Sequence, residues 1–187
     1  AHMLVDIGAH EARVLVSVAG ASALADTHRT AAAGYQTFLC QVSHNYREIQ
    51  QIADDTSERS ELVASESPVL TLEDANAVVQ AWIAMCSTSA LPRDSTTISV
   101  HLPSLQNRQQ GQSQTSTQTA VKLSLQPLLK AFHHIYLDYA NPASLIFSML
   151  TCALACPLDH RRGALRNVLL LGGGAVALRR CGRVSEG

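Results

Sequence analysis

Two short stretches carry the residues best suited to chemistry. In "DIGAHEARVLVSVAG" an acid, Asp6, stands two residues before Gly8, in a strand-like segment where burial would make a carboxylate costly. In "NVLLLGGGA" the triplet Gly172, Gly173 and Gly174 follows an apolar run directly, so a backbone or a flat ligand can come close to atoms that no Cβ shields. A triplet of this kind is also what an ordinary turn after a strand looks like. It lacks the G-x-G-x-x-G spacing of a dinucleotide site, and no Lys-Ser or Lys-Thr pair follows it as in a P-loop.

Other combinations point to structure more than to chemistry. Cys152 and Cys156 stand at i and i+4, but no Cys or His pair at finger spacing answers them, so they read as a buried helix face. His133 and His134 are adjacent and point in different directions. Ser17 and Ser22 have no histidine placed beside them to act as a base. Arg161 and Arg162 read as a solvated turn, or as packing ahead of the last strand.

The elements that must position Asp6 and the glycines follow from periodicity. Val14, Val16 and Val18 alternate in "RVLVSVAG", and "GAH" turns that strand back onto "LVDI". A helix follows Gly34, with Phe38, Val42 and Ile49 on one stripe. "ADDTSERSELVASESP" reads as an acidic, serine-rich loop. A second helix begins after Thr71 as N-cap, with Glu73 and Asp74 in its first turn. "TTISVHL" and "AVKLSL" read as two strands of one hairpin. The tract between them, Gln106 to Thr119, contains no apolar residue and is expected to be a flexible tip or insertion.

Pro127 suits the first turn of a further helix, and Asn141 with Pro142 reads as the cap and first position of the next. "PLDHRRGALR" reads as a polar turn leading into Val168 to Leu171, four apolar residues expected in a central strand covered on both faces. The sum is a mixed α/β domain.

Composition bounds the function. The 187 residues suit one domain with an inserted lobe, and a formal net charge of -1 gives no electrostatic case for nucleic acid or an anionic membrane. Five cysteines at irregular spacing argue for reduced thiols and a cytosolic setting. The most apolar stretch, "LIFSMLTCALAC", is about twelve residues where a membrane-spanning helix needs roughly twenty. The leading "AHM" is read as a cloning remnant, residues 1–3, outside the fold.

Taken together, the two stretches resemble actin and actin-related proteins. "DIGAHEARVLVSVAG" is similar, without a gap, to the β-hairpin that holds the family's second phosphate loop. "CPLDHRRGALRNVLLLGGGA" is similar to the segment in which a C-x-x-D-x-R-K/R helix leads into a strand and the glycine turn that packs on adenosine. "AAAGYQTFL" falls where actins carry Ala-Gly before a long helix. The resemblance covers the second half of an actin.

It implies a ribonuclease H-like actin fold, α/β, with residues 4–33 and 120–187 as a core subdomain. Residues 34–119 would form an inserted small subdomain with a flexible polar loop near 104–119. It also implies nucleotide contacts at Asp6, Gly8, Gly34, Gly172, Gly173 and Gly174, with Asp6 holding Mg through water beneath ATP or ADP. The family's second acid falls on Ala9 and its water-ordering histidine on Arg13. Its Lys-Glu pair on the small-subdomain helix falls on Trp82 and Ile83. With those groups changed, ATP hydrolysis is not expected.

"E-A-R-V-L" and "C-P-x-D-x-R" look most like the divergent actin-related proteins at the pointed end of dynactin. The favoured expectation is a cytoplasmic, cytoskeletal scaffold or filament cap that binds protein neighbours, with a weak or vestigial nucleotide site. Two alternatives stand beside it: an active ATP-binding switch of the same superfamily, and an unrelated small α/β interaction domain.

Overall fold

The alternating apolar pattern at the front of the chain builds the first sheet. In the computed structural model, which describes residues 1–18, 21–22, 27–56, 70–87, 97–104 and 120–176, strands β1 (His2–Ile7) and β2 (Ala12–Val18) form an antiparallel hairpin. Their register pairs Met3 with Val16, Val5 with Val14 and Ile7 with Ala12, and all six side chains are buried on one face. Met3, at the boundary of the segment read as a remnant, is thus a core residue in this structure.

The short strands β3 (Ala21–Ser22) and β4 (His28–Ala31) both pair with β2, and β7 (Val168–Leu171) lies parallel to β1. The sheet order is β3-β2-β1-β7. Helix α4 (Leu145–Ala155) packs on β2 and β4, and α5 (Leu158–Arg166) packs on β1 and β2. Here β7 departs from expectation. A run of four apolar residues suggests a central strand, but among the described residues β1 is its sole sheet neighbour, and Leu169 remains half exposed. Hydrophobicity shows that a strand should be covered, not where in the sheet it lies.

Contacts divide the chain into two units. Residues 1–38 and 132–187 form one, and 39–131 the other, so both boundaries fall within helical segments. In the second unit, α2 (Leu72–Ser87) packs on β5 (Thr97–Val100), which pairs antiparallel with β6 (Val121–Ser124) as the hairpin reading required. The polar tract from 105 to 119 lies outside the described residues, as does Cys181.

Helix α1 (Tyr35–Thr56) begins in the first unit and continues into the second, extending through residues 53–56 that the acidic composition had suggested as loop. Asp and Thr discourage helix, but a helix already fixed by its apolar face propagates through them at little cost. Helix α3 (Gln126–Phe132) carries Pro127 in its first turn and runs on into a π-helical turn, His133–Leu137. In the first unit Phe38, Phe132 and Tyr136 form an aromatic cluster with centroids 5.2 to 6.1 Å apart.

Two local expectations are corrected. The N-cap of α4 is Ser144, whose hydroxyl accepts from the Phe147 amide at 3.2 Å. Asn141 instead closes a turn by accepting from the Ala143 amide, and its own amide group donates to the His134 carbonyl near the start of the π-helical segment. The segment read as a polar turn after Cys156 is helix α5. Its leucines, arginines and alanine favour helix, and Asp159 in the first turn and Arg166 in the last complement the dipole. Arg161 donates to the Cys156 carbonyl at 2.9 Å and so secures the corner between α4 and α5.

Candidate functional site

The site is organised around the turn joining β1 to β2. The Gly8 amide donates to the Glu11 carbonyl at 3.0 Å, closing a turn over Ala9 and His10. The start of α1 comes down on this turn. The Tyr35 amide donates to the Gly8 carbonyl at 3.0 Å, the Gln36 amide to the Ala9 carbonyl at 2.7 Å, and the Thr37 hydroxyl to the His10 carbonyl at 3.0 Å. A helix leaves its first amides without internal partners, and here the hairpin carbonyls supply them. Such contact requires Gly34: a Cβ there would run into the backbone of Ala9, His10 and Glu11.

The glycine turn closes on the same place from the other side. In the β1-β7 register Asp6 lies beside Leu171, so Gly172 follows immediately at the carboxylate. Gly172 has φ of 85°, and a Cβ there would meet the Ile7 carbonyl and the Asp6 Oδ1. The Gly174 amide donates to the Ile7 carbonyl at 3.1 Å. Gly173 has open space where its Cβ would be.

Thus Asp6, Gly8, Gly34, Gly172 and Gly174, chosen at opposite ends of the sequence, are assembled around one hairpin tip within the first unit. The exposed Gly173 stands at the rim of the same turn.

What this tip can do chemically depends on its free groups. Among the described residues no backbone carbonyl accepts from the amides of Ala9, His10 or Glu11, and of the three the Glu11 amide lies against Gly34. Consecutive amides of this kind suit an anion. Asp6 is exposed and faces Arg13 across the β1-β2 ladder. The Arg13 guanidinium nevertheless pairs with Glu11, at 2.7 Å, not with Asp6. Asp6 therefore keeps a carboxylate open to water, which is the group a hydrated divalent cation would use. Among the described residues no cluster of three or more His, Cys, Asp or Glu could hold a metal ion by itself. A cation here would depend on a ligand's phosphates for the rest of its coordination.

The residues that bring α1 onto the hairpin, Tyr35, Gln36 and Thr37, carry no chemical signature and were not singled out from sequence. One signal was present: Gly34 precedes a helix that lacks Ser, Thr, Asp or Asn at its start, so its first amides needed partners from elsewhere. Trp82 and Ile83, which the resemblance to actins sets against a Lys-Glu pair, are buried in α2 of the second unit. Cys152 and Cys156 are buried as a helix face should be. The Cys152 thiol is pushed up by burial, which keeps it in the protonated form.

A sheet with flanking helices, a parallel β1-β7 pair, and a glycine turn against a hairpin tip make up an α/β fold of actin-like type at a coarse level. Among solved structures, a non-polymerising mutant of MamK bound to AMPPNP is similar, with a TM-score of 0.53 and 14% identity. The match covers 93% of this chain and 42% of that one, so the chain spans less than half the length of its structural neighbour. No protein-family model matches the sequence, and no curated protein is similar to it in sequence.

Proposed function

We propose that this chain forms the second half of an actin-like cytoskeletal protein, ribonuclease H-like in topology, that serves as a structural or filament-capping component. In this reading it works by binding protein neighbours, in a cytoplasmic assembly of the dynactin pointed-end type. Its nucleotide site is weak or vestigial. The observation that carries the reading is the uneven state of the hairpin tip. The backbone parts are complete, with Gly8, Gly34 and Gly172 each at a close approach. Meanwhile the side chains that hydrolysis would use are replaced by Ala9 and by an Arg13 engaged with Glu11.

A second reading, an ATP-binding switch, draws support from the hairpin-tip amides that meet no described backbone carbonyl and from the open carboxylate of Asp6. In that case Asp6 would hold Mg through water, and Gly172 to Gly174 would face the adenosine.

Thermal melting of the full-length protein with and without millimolar Mg-ATP separates the two. A binder saturated a hundredfold above its dissociation constant gains about 2.7 kcal/mol by mass action. The scaffold reading expects no gain in melting temperature. A clear gain that disappears in Asp6→Ala would replace it with the switch.

A further inference from the structure

Helices α4 and α5 present a surface that the hairpin site does not use. Leu150 and Leu154 lie one turn apart on the outer side of α4, and Leu158 follows directly across the Cys156–Pro157 corner. Leu154 is 63% exposed and Leu158 76% exposed. On α5, positions 158, 162, 165 and 166 share one face by helical spacing, and Leu158, Arg162, Leu165 and Arg166 are all exposed there. The opposite side of α5 anchors the helix through the buried Ala164.

The polar groups on this face are as telling as the apolar ones. Among the described residues no carboxylate comes within ion-pair range of Arg162 or Arg166. Arg161 is spent on the Cys156 carbonyl, and Asp159 is the helix's single acid, set in its first turn beside the positive end of the dipole. Exposed leucines on adjoining helices, beside guanidinium groups that meet no described carboxylate, match the pattern of a surface that receives an amphipathic helix with an acidic flank. An anionic membrane fits less well: only two arginines flank the leucines, on a helix of nine residues, in a chain of net charge -1.

We propose that the α4-α5 face, centred on Leu154, Leu158, Arg162 and Arg166, docks an acidic amphipathic helix of a partner protein. The leucines would bury its apolar stripe, and the two arginines would select its acidic flank. This inference stands independently of the nucleotide site.

The test uses the full chain and two labelled synthetic helices of equal length with leucine at i, i+4 and i+7. One carries glutamate on its flanks and the other lysine. Fluorescence anisotropy should show the glutamate peptide binding at least tenfold more tightly than the lysine peptide, with affinity falling as salt rises. Arg162→Glu with Arg166→Glu should reverse that preference. Leu154→Ser with Leu158→Ser should weaken both peptides at least tenfold. All four positions are exposed, so circular dichroism should stay at the wild-type value, and melting temperature should fall only slightly, through the reversed charge at the end of the α5 dipole in Arg166→Glu. Equal binding of the two peptides, or none, by a folded protein overturns the proposal. So does binding to phosphatidylserine vesicles that the Leu variant abolishes while neither peptide binds, which would make the face a membrane contact. Concentration-dependent self-association lost in the same variant would make it a contact between copies and also overturn it.

Discussion

The two units hold themselves together in different ways. In the first, the decisive contacts are backbone to backbone. Gly34 and Gly172 let chain segments approach to distances that any side chain would prevent, and hairpin carbonyls cap α1. In the second, buried polar side chains reach across the sequence to carbonyl groups. Ser43 donates to the Leu70 carbonyl at 2.8 Å, Asn45 to the Pro127 carbonyl at 2.9 Å and Tyr46 to the Ser124 carbonyl at 2.5 Å.

Asp74 adds a cap, accepting from the Thr71 amide and hydroxyl and from the Ser104 amide. The lesson is that the first unit constrains residue type by excluded volume and the second by hydrogen-bond inventory. A surface shaped by backbone depends little on which side chains stand on it, so the hairpin tip keeps its form whatever residues occupy positions 9 and 13.

Substitutions can break or sharpen this contrast. The largest effect is expected from Gly34→Ala, because the new methyl meets backbone that cannot yield. A loss of about 3 kcal/mol in urea unfolding is expected. Gly173→Ala, where the Cβ enters open space, should change stability by less than about 0.5 kcal/mol. Equal losses in the two variants would show that close approach does not govern the first unit.

Next comes Asn45→Ala, which strands the Pro127 carbonyl and the Gln41 amide group that now donates to Asn45 at 2.9 Å. Removing one partner from buried groups costs about 2 kcal/mol, again readable from the urea midpoint.

Asp74→Asn should cost about 1 kcal/mol at neutral pH through its weakened cap. Burial pushes the Asp74 carboxyl up, but hydrogen bonds from Ser104 and Thr71 outweigh it and hold the group below its ordinary value of 3.8. A carboxylate whose folded value is depressed stabilises the protein above its unfolded value, and that stabilisation fades as pH falls through the folded one. The gap between wild type and Asp74→Asn should therefore narrow below about pH 4. A gap that stays constant in acid would remove the ionised cap from the account.

The smallest effects come from two tyrosines, and they should differ in sign. Tyr46→Phe loses the bond to Ser124 and should cost about 1 kcal/mol. Burial also pushes the Tyr46 hydroxyl up to about 12, so the stability it brings is present below pH 10 and is lost as pH rises toward 12. The Tyr136 hydroxyl is buried in the first unit with no hydrogen-bond partner among the described residues, so Tyr136→Phe should be neutral or stabilising by up to about 1 kcal/mol. Melting curves of the two variants, with an alkaline series for Tyr46, check both statements.

Particular residues show how much of this was legible beforehand. The β1-β2 hairpin, the caps at Thr71 and the pairing of β5 with β6 followed from alternation, short polar side chains and turn residues. All of these act within a few positions of the chain. Helix α5 was misread because its many charges resemble a loop, although arginine and leucine favour helix, and its dipole is well complemented. Ser144 was passed over for Asn141 because both are good caps, and only the path of the chain after the π-helical turn chooses between them.

Local physics thus allowed the sequence alone to determine most strands and helices and the absence of the usual dinucleotide and P-loop spacings, while the six candidate site residues came from the resemblance to actins. Tertiary structure decided that α1 caps itself on the hairpin carbonyls and that, among the described residues, β7 has β1 as its one sheet neighbour. Each of those outcomes depends on which distant segments share space, and periodicity along a chain carries no information about partners more than a few residues away.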